Sequence, residues 1–115
     1  MQVPIEIDFD GMQPSEFIAQ RIRERARKLE QRFDRIVSCR VTVQAPRQRH
    51  NNRGNLYNVR IALHVPGAAL AINRDPGQDR AHRDLYVAIR DAFDVAERRL
   101  EEYVRKLRTP AGANG

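Results

Sequence analysis

The sequence predicts a single α+β domain in which strands and helices follow the order β-α-β-β-β-α. Four segments alternate apolar and polar residues, and two longer segments repeat apolar residues every three or four positions, with turn-forming residues between them. Three successive antiparallel strands cannot bury one face alone, so both helices are expected on the same face of a four-stranded sheet. The 115 residues suit one domain, predicted over residues 1–108, with a disordered tail at 109–115.

The first half of the chain is predicted to form a strand, a helix and a second strand. Residues 2–9 alternate apolar and polar side chains until Gly11, which is typical of a half-buried strand. Ser15 is the predicted N-cap of a helix over residues 17–33, whose apolar residues share one face. Residues 36–45 return to alternation and form the second strand. Its inward side is predicted to contain Val37, Cys39, Val41, Val43 and Ala45.

The second half is predicted to form two more strands and a long helix. Residues 46–55 are polar and basic and are expected to form a mobile loop. The third strand covers residues 56–65, and a Pro-Gly turn leads into a short fourth strand at 69–73. The last helix is predicted over residues 83–108, because its apolar residues form a single broad stripe.

The net charge of +6 is concentrated in one block of the sequence. Residues 35–74 contain seven arginines and no acidic residue, whereas the segments on either side are nearly neutral. A localised positive excess favours a polyanionic partner. Nineteen of the 21 basic residues are arginine, whose planar guanidinium matches phosphate well, although a high-GC genome produces the same enrichment.

The first predicted helix carries a row of basic residues beside its apolar face. Arg21, Arg25, Lys28 and Arg32 follow at spacings of four, three and four. Like charges at such spacings cost about 0.2–0.5 kcal/mol per pair, and within the helix only Lys28 has a favourably placed acid, Glu24. The row therefore indicates an external anion, although a solvated face without a partner would give the same pattern.

Further candidate contacts to nucleic acid lie in the loop and on the polar face of the sheet. The loop residues are Arg47, Arg49 and Arg53, and the sheet residues are Arg40, Arg60 and His64. Aromatic residues are few, and Tyr57 and Tyr103 fall on apolar faces, where they are expected to pack in the core. This composition disfavours a protein that reads single strands by stacking and favours recognition of the backbone and shape of folded RNA.

The sequence lacks the patterns of catalytic and metal sites. His50, His64 and His82 lie in separate segments, whereas zinc needs three or four converging ligands. Cys39 alternates with valines and is expected to be buried. Neither a nucleophile elbow nor a glycine-rich phosphate loop is found. We therefore expect no enzymatic activity, no metal, no cofactor and no small-molecule substrate.

The cellular location is expected to be the cytoplasm. No apolar run approaches the length of about 20 residues that a membrane span needs, and the N-terminus does not have the layout of a secretory signal. The single cysteine fits a reducing compartment. The sequence leaves the oligomeric state open, and we expect a monomer.

The element order, the basic first helix and residues 84–94 (Asp-Leu-Tyr-Val-Ala-Ile-Arg-Asp-Ala-Phe-Asp) resemble the ribosome hibernation promoting factor family. Its members are also called ribosome-associated inhibitors, ribosomal subunit interface proteins or sigma-54 modulation proteins. The resemblance extends over residues 1–108. It implies a fold similar to double-stranded RNA-binding domains. It also implies binding to the small ribosomal subunit, where such proteins occupy the messenger and tRNA channel and silence idle ribosomes during stress or stationary phase.

The resemblance also implies which residues contact ribosomal RNA. The matching positions are Arg21, Arg25, Lys28 and Arg32 on the first helix and Arg83, Arg90 and Arg99 on the second. Longer relatives carry a C-terminal extension, and we expect this chain to correspond to a short form of the family. We therefore predict a non-enzymatic translation inhibitor that binds the RNA of the small subunit. A general module for structured RNA and a protein-interaction adaptor, such as a modulator of transcription factors, remain alternatives.

Overall fold

The computed structural model describes residues 3–45, 57–73 and 84–108. Its elements are β1 (Ile5–Asp10), α1 (Glu16–Arg32), β2 (Ser38–Gln44), β3 (Asn58–Val65), β4 (Ala68–Asn73) and α2 (Leu85–Arg108). The predicted order of strands and helices is therefore confirmed. The predicted basic loop and the predicted tail lie outside the described residues.

The four strands form one sheet in the order β1-β2-β3-β4. β1 and β2 are parallel and are connected through α1, whereas the remaining neighbours are antiparallel. The register places Ile7, Val41, Ile61 and Ile72 side by side across the sheet. Because side chains alternate along a strand, this register gathers the apolar residues of all four strands on one face.

Both helices cover that apolar face, as the sequence predicts. The buried residues of α1 and α2 form one cluster with the inward residues of the strands. Side chains from both layers, among them Ile22, Leu63 and Ile89, are completely inaccessible to solvent. Cys39 is buried in the same cluster as predicted, and burial raises the pKa of its thiol to about 11. The thiol is therefore protonated at neutral pH.

Local signals in the sequence set the ends of the helices and the turn between β3 and β4. The hydroxyl of Ser15 accepts a hydrogen bond from the backbone N–H of Ile18 at 3.4 Å, which confirms the predicted N-cap. The side chain of Asp84 likewise accepts the N–H of Tyr86 at 2.9 Å, so α2 begins just after Asp84. Gly67 adopts a φ of +79° in the turn, a conformation that glycine reaches without steric cost.

The structure corrects the predicted orientation of Val37. This residue was expected on the inward side of β2, but it is 56% exposed, and Ile36 is buried in its place. β2 begins only at Ser38, so Val37 lies in the connection after α1, where its N–H donates to the carbonyl of His64 at 2.7 Å. The rule of alternation applies only to extended strand residues, which is why it fails at this position.

Candidate nucleic-acid interface

α1 and α2 lie side by side and run in the same direction. Near the start of both helices, the guanidinium carbon of Arg21 lies over the ring of Tyr86, 5.3 Å from its centroid. Further along both helices, Arg32 pairs with Glu97 and Glu101. Because these contacts proceed from the N-terminus toward the C-terminus along both helices, the two helices are parallel.

Each helix presents one row of side chains to this helix–helix boundary. The α1 row is the basic row predicted from the sequence: Arg21, Arg25, Lys28 and Arg32. The α2 row has spacings of four, four, three and four and consists of Tyr86, Arg90, Asp94, Glu97 and Glu101. An open groove of about 100 Å³ lies between the helices and is lined by Arg25, Lys28, Leu29, Arg32, Phe93, Asp94 and Glu97. We call the whole boundary between the two rows, from Arg21 and Tyr86 at one end to Arg32 and Glu101 at the other, the interhelical groove.

The far end of the interhelical groove, toward the C-termini of the helices, has its positive charge neutralised. One terminal nitrogen of Arg32 contacts the carboxylate of Glu97, and the other lies 2.6 Å from Oε2 of Glu101. Arg32 therefore joins the two helices, and its charge is matched by two carboxylates. Residue spacing within α1 does not indicate which acidic residues of α2 lie nearby, so this pairing could not be predicted from the sequence.

The near end of the groove, toward the N-termini, stays positively charged. Among the residues that the structure describes, no carboxylate oxygen lies within 4.0 Å of the charged groups of Arg21, Arg25 or Lys28. Arg90 on α2 faces the same end of the groove, but its charge is matched by the adjacent Asp91, whose Oδ1 lies 3.2 Å from Nη2 of Arg90. Phosphate oxygens could therefore bind here without displacing an ion pair of Arg21, Arg25 or Lys28 in the described part of the chain.

On the opposite side of α1, by contrast, basic residues form ion pairs with acidic residues of the protein itself. Arg23 pairs with Glu16 at 3.0 Å, and Arg27 pairs with Glu30 at 2.7 Å. Glu30 also accepts the N–H of Val3 at 3.2 Å. Partial desolvation by itself would raise the pKa of Glu30, but the hydrogen bonds from Arg27 and Val3 lower it below its ordinary value. These contacts attach the start of the chain to α1.

The other predicted contacts lie outside the interhelical groove or outside the described residues. Arg99 is on the far side of α2, where its Nη1 donates to the carbonyl of Ala71 on the edge strand β4 at 3.4 Å. On the outer face of the sheet, Arg40 pairs with Asp8 at 2.9 Å and with Glu6 at 3.6 Å. Arg47, Arg49, Arg53 and Arg83 fall among the residues that the structure does not describe.

Sequence reasoning did not identify the aromatic residues beside the groove. Phe17, one turn before Arg21, is 83% exposed, and Tyr86 is 45% exposed. Tyr57 and Tyr103 are partly buried against the core, as predicted from their positions on the apolar faces of the predicted strand and helix. The signal that could have found Phe17 is its spacing of four from Arg21, which places it in line with the basic row rather than with the apolar stripe.

Comparison with known proteins identifies the family of this chain. The family model described as "Sigma 54 modulation protein / S30EA ribosomal protein" matches residues 5–108. The chain belongs to this family. A curated relative, the ribosome hibernation promotion factor of Deinococcus radiodurans, is 33% identical over 82 residues. That match covers 71% of this chain and 39% of the relative, so it spans well under half of the relative's length.

Solved structures of similar proteins confirm the α+β fold of this family member. The N-terminal domain of Protein Y from Thermus thermophilus is 16% identical with a TM-score of 0.66, and the match covers 90% of this chain and 99% of that chain. A ribosomal subunit interface protein from Coxiella burnetii is 14% identical with a TM-score of 0.71 and the same two coverages. At these identities the likeness shows the fold alone.

Within residues 3–45, 57–73 and 84–108, no three His, Cys, Asp or Glu side chains are grouped so that they could hold a metal ion. In the same residues, neither helix combines the length and apolar character that crossing a membrane requires.

Proposed function

We propose that this chain is a ribosome hibernation factor that binds the RNA of the small ribosomal subunit and inhibits translation without catalysing a reaction. The observation that carries the proposal is the cationic near end of the interhelical groove. There, Arg21, Arg25 and Lys28 have no carboxylate within 4.0 Å among the described residues. Membership of the family and the hibernation factor of Deinococcus radiodurans support the same function. Such a factor acts in the cytoplasm and needs no cofactor.

The spacing of the basic row suits an RNA backbone. From Arg21 to Lys28 the helix rises about 10 Å, at about 1.5 Å per residue. Each strand of a B-form duplex advances about 3.4 Å along the helix axis per phosphate, so a row of this length reaches more than one phosphate of a nucleic-acid strand. Guanidinium and ammonium groups bind phosphate irrespective of base sequence. The row would therefore position the protein on folded RNA through its backbone.

The acidic far end of the groove limits where RNA can bind. Glu97 and Glu101 already neutralise Arg32, and a phosphate placed there would meet two carboxylates. The protein would thus bind RNA with the near end of the groove and leave the far end in solvent. Inhibition then follows from occupancy, because a ligand bound to the subunit RNA excludes other molecules from the same surface.

The direct test is sedimentation of the purified protein with separated ribosomal subunits in a sucrose gradient at moderate salt. We expect the protein to migrate with the small subunit and to leave the large subunit unbound. Its affinity should fall steeply as salt is raised, because phosphate contacts release counterions. Protein that stays at the top of the gradient would contradict the proposal. Equal affinity for an arbitrary RNA hairpin would favour a general module for structured RNA.

Because Arg32 is neutralised and Arg25 is not, we predict that replacing Arg25 weakens RNA binding and that replacing Arg32 does not. Arg25→Gln removes one phosphate contact, so we expect about tenfold weaker binding and a salt slope that is shallower by about 0.7–1. Arg32→Gln combined with Glu101→Gln removes an internal ion pair at constant net charge. This double variant should bind within about threefold of the parent, because it leaves the near end of the groove unchanged.

A charge-matched control distinguishes the loss of the contact between Arg25 and a phosphate from a general decrease in the positive charge of the protein. Arg98→Gln alters the net charge as much as Arg25→Gln does, but Arg98 is an exposed residue of α2 outside both rows. Filter binding or fluorescence anisotropy at several salt concentrations would measure all three variants. An equal loss in the Arg32/Glu101 variant and in Arg25→Gln would show that the row acts as a whole.

A further inference from the structure

At the cationic near end of the groove, an arginine of α1 lies over a tyrosine ring of α2, and an exposed phenylalanine stands one helical turn before that arginine. Phe17 is 83% exposed and Tyr86 is 45% exposed. The guanidinium carbon of Arg21 lies 5.3 Å from the centre of the Tyr86 ring, and Phe17 precedes Arg21 by one helical turn. We refer to Phe17, Arg21 and Tyr86 as the aromatic cluster. Binding of phosphate by the basic row does not account for the two exposed rings.

The distribution of exposed apolar residues singles out this end of the helices. Among the described residues, the large exposed apolar side chains are Phe17, Val37, Tyr86 and Leu107. The two aromatic residues lie near the starts of α1 and α2, whereas Val37 follows α1 and Leu107 lies near the end of α2. Since the helices are parallel, all the exposed aromatic rings of the described residues fall at the cationic end.

We propose that the aromatic cluster binds an unpaired nucleobase of the RNA whose phosphates contact Arg25 and Lys28. This inference rests on the proposed function and specifies the class of RNA that the site recognises. Every base has a flat π-face that stacks on aromatic rings and on guanidinium planes. A base in a continuous duplex is stacked on its neighbours, so the cluster would select loops, bulges or single strands.

The charges around the cluster favour a nucleotide over an apolar protein segment. A nucleotide combines a flat base with an anionic phosphate, and the cluster adjoins cations that have no carboxylate within 4.0 Å among the described residues. The acid nearest to Phe17 in sequence, Glu16, is matched by Arg23 at 3.0 Å. The Asp84 carboxylate before α2 is engaged by the N–H of Tyr86. The cluster therefore has complementarity to both parts of a nucleotide.

Phe17→Trp provides a spectroscopic test, because the chain has no tryptophan of its own. The variant would be titrated with small subunits, with an RNA hairpin that has an unpaired loop, and with a blunt RNA duplex of equal length. We expect the loop RNA and the subunit to quench the tryptophan emission and the duplex to leave it unchanged. Leu107→Trp is the control, since Leu107 is likewise an exposed apolar residue (48%) but lies at the other end of α2.

Binding measurements provide a second, independent readout. Phe17→Ala and Tyr86→Leu should each weaken binding of the loop RNA by about 5- to 100-fold. The salt slope should stay the same, because neither variant loses a phosphate contact. Tyr86→Phe should bind like the parent, because the ring is retained. Thermal unfolding should show that Phe17→Ala keeps the stability of the parent, because Phe17 is almost fully exposed.

The outcomes separate this inference from the proposed function. If the parent chain binds the small subunit but the loop RNA neither quenches Phe17→Trp nor distinguishes Phe17→Ala from the parent, the base site is wrong and the proposed function stands. If the parent binds neither the subunit nor RNA, both proposals are overturned. If Phe17→Ala binds RNA normally but loses association with a ribosomal protein, the cluster is a protein contact.

Discussion

Replacing Arg21, Arg25 and Lys28 together with glutamate is expected to abolish binding to the small ribosomal subunit at moderate salt. The triple change lowers the net charge from +6 to zero and puts three carboxylates where phosphates would bind. We expect at least about 100-fold weaker binding and a loss of about 2–3 from the slope of log affinity against log salt concentration. Anisotropy titrations at several salt concentrations and gradient sedimentation would measure both effects.

The matched control for this variant reverses three exposed basic residues outside the near end of the groove. Arg35, Arg98 and Lys106 are all exposed, and their replacement by glutamate changes the net charge by the same amount. We expect this control to lose less than about tenfold in affinity, because only the general field is altered. A loss as large as that of the first variant would show that net charge, rather than the basic row, determines binding. Circular dichroism would confirm that both variants are folded.

Leu63→Ala is expected to have the largest effect on stability. Leu63 lies in β3, where it is completely inaccessible and sits opposite Cys39 and Leu70 in the register of the sheet. Truncating a buried leucine leaves a cavity and costs about 2–5 kcal/mol in the free energy of unfolding. Small domains are stable by only about 5–15 kcal/mol, so this loss is a large fraction of the total. Urea unfolding followed by circular dichroism would measure it.

Leu107→Ala provides the same chemical change at a position that is 48% exposed. We expect its free energy of unfolding to fall by less than about 0.5 kcal/mol, because little apolar surface leaves the core. Similar midpoints for the two variants would contradict the described core. Under conditions in which Leu63→Ala remains folded, it should bind the small subunit like the parent, since β3 does not contribute to the basic row.

The strands and helices could be predicted from the sequence because each follows from a local pattern. Ser15 predicted the start of α1, and the hydrogen bond from the N–H of Ile18 confirms it. Alternation predicted β2 and β3 to within about two residues at each end. The rule failed at Val37, because the periodicity of a strand does not reveal where the extended backbone begins.

The sequence by itself determined that Arg21, Arg25, Lys28 and Arg32 share one side of α1, since helical periodicity fixes which residues of a helix lie together. It could not determine which side chains they face. The tertiary structure places α2 parallel to α1, which brings two carboxylates to Arg32 and an aromatic ring to Arg21. As a result, the four basic residues, which look equivalent in the sequence, have different surroundings. Arg32 is neutralised at one end of the groove, whereas the other end stays cationic and carries aromatic rings. The physical reason is that electrostatics depends on distances through space, and packing on the common sheet sets the distances between the two helices.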